Sequence, residues 1–527
     1  MIKYISFIFI SLSLLGCSAK SRPKQPNILF IMSDDHAAHA IGAYQGLYSS
    51  LNPTPNIDQL ASDGMRFENV FCNNSICTPS RASIITGQYP QTNGVLDLDA
   101  ALDTAKQFLP KELKKLGYST AIIGKWHLKN EPANFDYYKV LPGQGKYFNP
   151  VFKEKGRGEW PNNLSNSRGH STDVITNSTI DYLKGLDKSK PFFLMHHYKA
   201  PHGKFEFATR YADYLENIKI PEPSNLYNQP YFGSEAIKGS NNNLTNIIGS
   251  SVSSRHSRAN YVNTYVKDST LRGKDATSAA YQTYLKHYLR CVKGIDDNLG
   301  RLFDYLKAEG LWNNTIIVYT ADQGFMLGAH DFIDKRWMYD ESMRMPLIVR
   351  YPKMMDEEAV SDLLVNNTDF APTLIELAGG QTPDYMQGKS FVNTLQGRKE
   401  HDWRQATYYR YWMHMIHHYV PAHLGIRTKE YKLIFYYSHH YLPKEEFGKF
   451  YWNKSYGDLL EKEWPVAWEF YDLKKDPREM YNKYNDSAYA DVITSLKEEL
   501  KKQRIVLNET DHGFPLLEKI LETNWDR

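Results

Sequence analysis

Asn27-Ile28-Leu29-Phe30-Ile31-Met32-Ser33-Asp34-Asp35-His36 sets an unbroken apolar run directly before a polar cluster. A strand covered on both faces reads as such a run, and in a parallel sheet its carboxyl end presents the polar residues that follow. The pattern recurs. Thr120-Ala121-Ile122-Ile123 precedes Gly124-Lys125-Trp126-His127, Phe192–Met195 precedes His196-His197, and Thr315–Tyr319 precedes Asp322-Gln323-Gly324. Helical patterns lie between them, as over Ile57–Met65 and Asn298–Leu306. Alternating strands and helices predict an α/β domain with a mostly parallel sheet flanked by helices. Ligands of such sheets gather at the carboxyl ends of the strands, so these polar clusters are expected to meet at one site.

At 527 residues the chain is long for one domain,. The texture shifts after about residue 400, to aromatic strands such as Tyr431–Tyr437 and a final helix around Val492–Leu500. The expected division is therefore a core domain over 26–400 and a smaller C-terminal α+β domain over 401–527. Within the first, 215–275 is rich in Asn, Ser and Gly and reads as an insertion or lid, or as a surface excursion. A hydrophobic content of 42% supplies a core, and 23% charged residues argues against wholesale disorder,. The net charge of +3, without a block of Lys and Arg, speaks against a nucleic-acid surface,. The 38 Tyr suit stacking on sugar rings and suit core packing equally,.

Residues 1–16 read as a signal peptide: Lys3 supplies the basic start, and Ile5–Leu15 is too short to span a bilayer comfortably,. The run ends in Leu14-Leu15-Gly16-Cys17, which resembles a bacterial lipobox and predicts lipidation of Cys17,. Residues 17–25 then form a tether. The protein is expected to be exported and held by its lipid on the membranes of the bacterial envelope, in the periplasm or at the outer membrane. With Cys17 and Cys77 committed elsewhere, Cys72 and Cys291 allow one disulfide at most,. No Cys-x-x-Cys or clustered Cys/His spacing spells a zinc site.

Cys77-Thr78-Pro79-Ser80-Arg81, followed by Thr86-Gly87, is the most specific segment of the chain. Taken alone, a Cys just before Pro is a small buried residue at a turn into a helix. Polar surroundings and Arg81 one turn on favour a reactive position. The segment resembles the type I sulfatase signature Cys-x-Pro-x-Arg, in which a sulfatase-maturing enzyme oxidises the Cys to formylglycine. The resemblance runs from Asn27 to about Asn482 through Thr54-Pro55-Asn56-Ile57-Asp58, Gly124-Lys125-Trp126-His127 and Ala200-Pro201-His202. It continues through Asp322-Gln323-Gly324, Asp334-Lys335-Arg336, Ser342-Met343-Arg344-Met345-Pro346 and Leu473–Pro477. It implies an alkaline-phosphatase-like fold, hydrolysis of sulfate esters, and formylglycine derived from Cys77.

The implied chemistry suits the residues. A sulfate monoester is negatively charged and repels an anionic nucleophile. A hydrated aldehyde at residue 77 offers one hydroxyl to attack sulfur and a second to expel sulfate as the carbonyl re-forms. Asp34, Asp35, Asp322 and Gln323 bring oxygen ligands from two strand ends, which suits Ca²⁺ better than a soft metal, and residue 77 itself would complete the set. Singly, Asp34-Asp35 reads as a cap or turn and Asp322-Gln323 as a loop. Many relatives carry Asn or His where Gln323 stands, although Gln also offers a carbonyl oxygen. By resemblance, Lys125, His127, His202 and Lys335 complete the catalytic constellation. Of these, Lys125, His202 and Lys335 would also bind substrate, their charge stabilising the sulfate oxygens in the transition state. Arg81 is implied to hold the formylglycine region. His202 is favoured over His127 as proton donor to the departing sugar oxygen, because it lies outside the metal cluster. His36, His196, His197 and His330 read as structural.

His423 is expected to lean over the pocket as a substrate contact, and Tyr408–Trp412 to stack on a sugar or pack the second sheet. The substrate is expected to be a sulfated carbohydrate, ulvan first and the 6-sulfated N-acetylglucosamine of glycosaminoglycans second. Two rivals stand beside this reading. One is a phosphatase or phosphodiesterase of the same superfold, with a Ser or Thr nucleophile and two zinc ions. The other is a surface lipoprotein that binds sulfated glycans through an unmodified Cys77.

Overall fold

The structure, a computed structural model, describes residues 25–227, 231–256, 259–442 and 462–527. The expected signal peptide, Cys17 and almost all of the tether lie outside them. Every residue of β1 (Asn27–Asp34) is buried. Its side chains alternate between faces. Ile28, Phe30 and Met32 join one apolar cluster, while Leu29 and Ile31 join another. A strand can be apolar throughout only when both faces are covered, and here both are. Helices Cys77–Thr86 and Phe370–Leu377 contribute to the first cluster, helices Ser171–Lys184 and Gly273–Ala308 to the second.

Nine further strands complete this sheet: β2 (Met65–Phe71), β3 (Ser119–Lys125), β4 (Tyr137–Leu141), β5 (Val151–Glu154), β6 (Leu164–Asn166), β7 (Phe192–Pro201), β8 (Thr315–Ala321), β9 (Leu347–Arg350) and β10 (Ala359–Asn366). Their spatial order is β10-β2-β9-β8-β1-β7-β3-β4-β5-β6. The central run β8-β1-β7-β3-β4 is parallel throughout, and β9 is antiparallel to both its neighbours. The strands that precede the polar clusters are therefore side by side, with their carboxyl ends on one edge.

The helix expected over Ile57–Met65 is Pro55–Ser62. It stops because the chain must turn at Gly64, where a Cβ would lie 2.3 Å from the Val349 carbonyl oxygen, and Met65 already opens β2. The pattern over Asn298–Leu306 is the last part of the 36-residue helix Gly273–Ala308. The described residues of segment 215–275 contain short helices and turns, with a strap at 249–253. Gly249 N donates to Tyr419 O (3.1 Å), Ile333 N to Ser250 O (3.2 Å) and Val252 N to Asp331 O (2.9 Å).

A second, antiparallel sheet has the order β11 (Ala406–Tyr411), β12 (His423–Thr428), β13 (Tyr431–Tyr436), β14 (Ala467–Asp472). One face, with Tyr408, Leu424 and Phe435, packs on helix Ala490–Val506; the other, with Tyr409, Tyr411 and Tyr436, merges with the first cluster of the large sheet. Tyr408, Tyr409, Tyr411 and Trp412 are all buried, so these rings pack the sheet and do not offer faces to a sugar. Cys72 and Cys291 are free, buried in different clusters, so the disulfide that their number allowed does not form.

Arg410 on β11 is buried between Glu509 and Asp511 (2.8 Å to the latter) and lies over the Trp412 ring at 3.5 Å. Removing one partner of a buried ion pair strands the others. Arg410→Ala is expected to cost about 3–5 kcal/mol of stability. Denaturant unfolding followed by tryptophan fluorescence checks this; a loss below about 1 kcal/mol would show that Arg504, which pairs with Glu509 at 3.2 Å and Asp511 at 2.6 Å, holds both carboxylates alone,.

Candidate active site

The carboxyl ends of β1, β3, β7 and β8 converge as the sequence patterns predict. Asp35 follows β1 with φ 67°, a left-handed turn, and its carbonyl accepts from Tyr288 Oη at 2.8 Å. The turn brings Asp35 N to Asp322 Oδ1 (3.2 Å), beyond β8, and Gln323 Nε2 bonds the Asp35 carboxylate. Lys125, ending β3, donates to Asp34 and to Gln144 Oε1 (2.6 Å). Lys335 straddles both Asp35 oxygens at 2.7 and 2.6 Å.

Helix Cys77–Thr86 is buried along its whole length. Arg81, one turn after Cys77, donates through Nε to Asp322 Oδ2 (2.9 Å) and through Nη1 to Lys125 O (2.7 Å). It thereby ties the helix to two strand ends. The Cys77 thiol, Asp34 and His202 offer ligand atoms within 4.8 Å of one another, and so do Asp34, Asp35 and Asp322. His202 Nε2 lies 3.8 Å from Asp35 Oδ2, and His127 Nδ1 lies 3.4 Å from Thr78 Oγ1. The structure thus assembles Asp34, Asp35, Cys77, Arg81, Lys125, His127, His202, Asp322, Gln323 and Lys335 in one cluster, buried except for the half-buried His127 and His202.

Burial would raise the Asp34 carboxyl, but Lys125, His202, Arg81 and Lys335 outweigh it and hold the group well below the usual carboxylate range. For Asp35 the balance reverses. Burial, with Asp34 and Asp334 beside it, overcomes Lys335 and pushes it up to about 6. Burial and Asp34 push Asp322 to about 7. Three carboxylates this close cannot all ionise comfortably without more positive charge. Asp34 Oδ1 and Gln323 Oε1 are also buried without a hydrogen-bond partner. Hard oxygen donors crowded together and two orphaned acceptors fit one hard divalent cation, held by Asp34, Asp35, Asp322 and Gln323,.

Burial raises the Cys77 thiol despite Lys125 and Lys335, so an unmodified thiol here stays protonated and is a poor nucleophile,. Burial, then Lys335, holds His202 well below its ordinary value. Its Nδ1 lies 2.7 Å from Gly203 O. A carbonyl only accepts, so Nδ1 carries the proton and Nε2 faces the cluster with its lone pair. Burial, then Lys125, depresses His127 likewise.

His423 does not join the cluster. It opens β12 on the face that meets the large sheet, fully buried and ringed by Tyr409, Tyr411, Tyr436 and Trp337, with centroids 4.8–6.4 Å away. Its expected role as a substrate contact is therefore replaced by packing. His36, His196 and His197 are structural, bonded to Tyr319 Oη (2.6 Å), Thr179 Oγ1 (2.7 Å) and Lys125 O (3.1 Å), and His330 stacks on Phe232 at 3.8 Å.

Three polar side chains beside the cluster were missed. Asp334 and Arg336 flank Lys335 and pair with each other. His418 Nε2 stands 3.6 Å from Asp334 Oδ1. Arg336 N donates to Ser75 O at 3.1 Å, two residues before Cys77, so Asp334 and Arg336 lie near that cysteine, and His418 joins them through Asp334. The motif Asp334-Lys335-Arg336 could have shown the first two. His418 has no local signal, because only the fold brings its loop there.

A family model described as Sulfatase matches residues 26–380, and one described as N-sulphoglucosamine sulphohydrolase, C-terminal, matches 328–445 and 460–506. The chain is 38% identical to an N-acetylglucosamine-6-O-sulfatase of Bacteroides thetaiotaomicron, over 94% of this chain and 89% of that one. It is 26% identical to an ulvan-active sulfatase of Formosa agariphila, over 94% and 84%. A solved structure of a protein with its substrate D-glucosamine-2-N,6-O-disulfate superposes with a TM-score of 0.78 at 35% identity, covering 93% of this chain and all of that one.

The crowded oxygen donors make a direct test. A divalent cation, with Ca²⁺ and Mg²⁺ as probes, is expected to raise the melting temperature. The stabilisation should reach about 2.7 kcal/mol at a hundredfold excess over Kd. Asp322→Ala should abolish the response, and an unresponsive native protein would refute the site.

Proposed function

The chain belongs to the sulfatase family, and we propose that it removes the 6-O-sulfate from glucosamine residues of glycosaminoglycan fragments, using Ca²⁺ and a formylglycine made from Cys77. The observation that carries this is the single buried cluster in which Cys77, two lysines and an oxygen-donor set meet beside Asp334, Arg336 and His418. The relatives reverse the expected order of substrates. Similarity is greater to the N-acetylglucosamine-6-O-sulfatase than to the ulvan-active enzyme, so 6-sulfated glucosamine replaces ulvan as first choice.

Bound Ca²⁺ would polarise a sulfate oxygen and the attacking hydroxyl. Converted and hydrated, residue 77 would attack sulfur through one hydroxyl and release sulfate as the other re-forms the carbonyl. Arg81 locks the start of its helix to the ends of β3 and β8. Lys125 and Lys335, each anchored on a carboxylate, would face the sulfate oxygens where charge develops in the transition state,. His202 Nε2 would carry a proton to the departing sugar oxygen once the negative ester is bound and favours imidazolium. Asp334, Arg336 and His418 offer an acceptor and donors within reach of the sugar hydroxyls next to the ester.

Two overlapping ligand groups, both containing Asp34, are the potential metal clusters among the described residues. The second, Asp34, Asp35 and Asp322 with Gln323 beside it, offers oxygen alone, and this donor set supports one hard ion over the two zinc ions of the phosphatase reading,. Export and anchoring through Cys17 remain part of the proposal on the strength of Leu14–Cys17, and place the enzyme at the cell envelope.

Protein co-produced with a sulfatase-maturing enzyme is expected to release sulfate from 6-O-sulfated N-acetylglucosamine in proportion to its formylglycine fraction, read by peptide mass. Cys77→Ala should be inactive yet still be thermally stabilised by the sulfated sugar. Preference for ulvan oligosaccharides would overturn the substrate, and activity of Cys77→Ala the mechanism. Lys335→Ala should lower kcat by about a hundredfold or more, since its charge is aimed at the transition state. An unchanged kcat with a raised KM would reduce Lys335 to a binding residue.

A further inference from the structure

The strap at residues 249–253 comes from the insertion, yet it meets the site. Ser250 Oγ lies 2.6 Å from His418 Nδ1, and His418 Nε2 points to Asp334 Oδ1 at 3.6 Å. Three segments far apart in sequence thus form one line of polar groups: insertion, C-terminal loop, and the segment that carries Lys335. Ser250 is 3% exposed, and its hydroxyl makes this one side-chain hydrogen bond.

We propose that Ser250 is a positioning residue, which fixes the tautomer and ring direction of His418 so that an Nε2–H is presented between Asp334 and a hydroxyl of the bound sugar. Charge favours one arrangement, because an Nδ1–H ring would turn its Nε2 lone pair toward the Asp334 carboxylate. A neutral imidazole has one N–H and one lone pair, whereas a carboxylate only accepts. The proton therefore belongs on Nε2, facing Asp334, and Nδ1 must accept. Ser250 supplies the required donor. Burial keeps the imidazole far below its ordinary pKa, in keeping with a neutral ring. The 3.6 Å gap to Asp334 is too long for a good hydrogen bond, so Nε2–H is free to donate to a ligand oxygen lying beside the carboxylate,.

The strap is built to hold this hydroxyl still. Its backbone is bonded to Tyr419 on one side and to Ile333 and Asp331 on the other. Ser253 adds a bond from its N–H to Asp331 Oδ1 at 2.8 Å. Gly249 has φ 92°, and a Cβ there would lie 2.6 Å from the Phe332 ring, so the close approach requires glycine,. None of these bonds uses the Ser250 side chain, so its removal should leave the strap in place.

The inference rests on the sulfatase reading, because it assigns the sugar to this side of Lys335. In matured enzyme, Ser250→Ala is expected to raise KM for 6-O-sulfated N-acetylglucosamine about five- to tenfold, the size of one hydrogen bond, with kcat within twofold of native. Ser250→Thr, which keeps the hydroxyl, should restore KM. In a His418→Ala background, Ser250→Ala should add nothing, since the hydroxyl acts only through that ring. Histidine ¹⁵N shifts should show an Nε2–H tautomer at His418 in the native protein and a tautomer mixture in Ser250→Ala. An unchanged KM, an equal loss in the His418→Ala background, or an Nδ1–H tautomer in the native protein would overturn the proposal. Failure of the sulfatase reading is distinct: the native enzyme itself would then release no sulfate, while the tautomer measurement would still report on Ser250.

Discussion

Three carboxylates buried within a few ångströms of one another are the constraint on which the rest of this structure depends. Asp34, Asp35 and Asp322 stand at the ends of adjacent strands, and Arg81, Lys125 and Lys335 are drawn in to meet them. Fully charged, the six groups sum to zero. A bound divalent ion would make the site doubly positive, which is what a negatively charged ester requires. The same charge balance explains why each lysine is held by a carboxylate: an unpaired ammonium in so closed a place would lose its proton. Positive charge is thereby stored in a buried site until the substrate takes it up.

The large sheet makes that concentration affordable. Its central strands are buried on both faces, so the charged groups appear only where the strands end. Each group is positioned by a backbone that cannot shift without disturbing two apolar layers. The second sheet acts differently. Its inner face is aromatic, and Tyr409 on β11 reaches Ser75, two residues before Cys77, with Oγ···Oη at 2.5 Å. The reactive helix is thus held from above by the C-terminal sheet and from below by the ends of β3 and β8.

Much of this was legible in the sequence because it is local. An apolar run followed by Asp34-Asp35, or by Lys125 and His127, is a period-and-terminus signal read within ten residues. Cys77 and Arg81 belong to one helical turn. What was not legible depends on which distant segments meet. The strand that His423 opens suggests a pocket residue, yet alternation along β12 turns its ring into the aromatic layer. His418, five residues earlier in an irregular loop, reaches the site because the strap 249–253 holds that loop against Asp331 and Ile333. The Asn-rich texture of 215–275 suggests an insertion, but nothing in its composition reveals that residues 249–253 within it tie two parts of the molecule together.

The burial of helix Cys77–Thr86 has a consequence for biogenesis. Residue 77 is 1% exposed, at the first position of a helix enclosed by strand ends, Lys335 and the second sheet. On the proposed mechanism, an enzyme that converts this cysteine could not reach it in the finished fold, where the side chain is enclosed. Such editing would therefore precede collapse of the chain around residue 77. Chains that fold before they are edited would be trapped as well-formed but inert molecules, and the active fraction would then be set by a race between the modifying enzyme and folding, run once in the lifetime of each polypeptide.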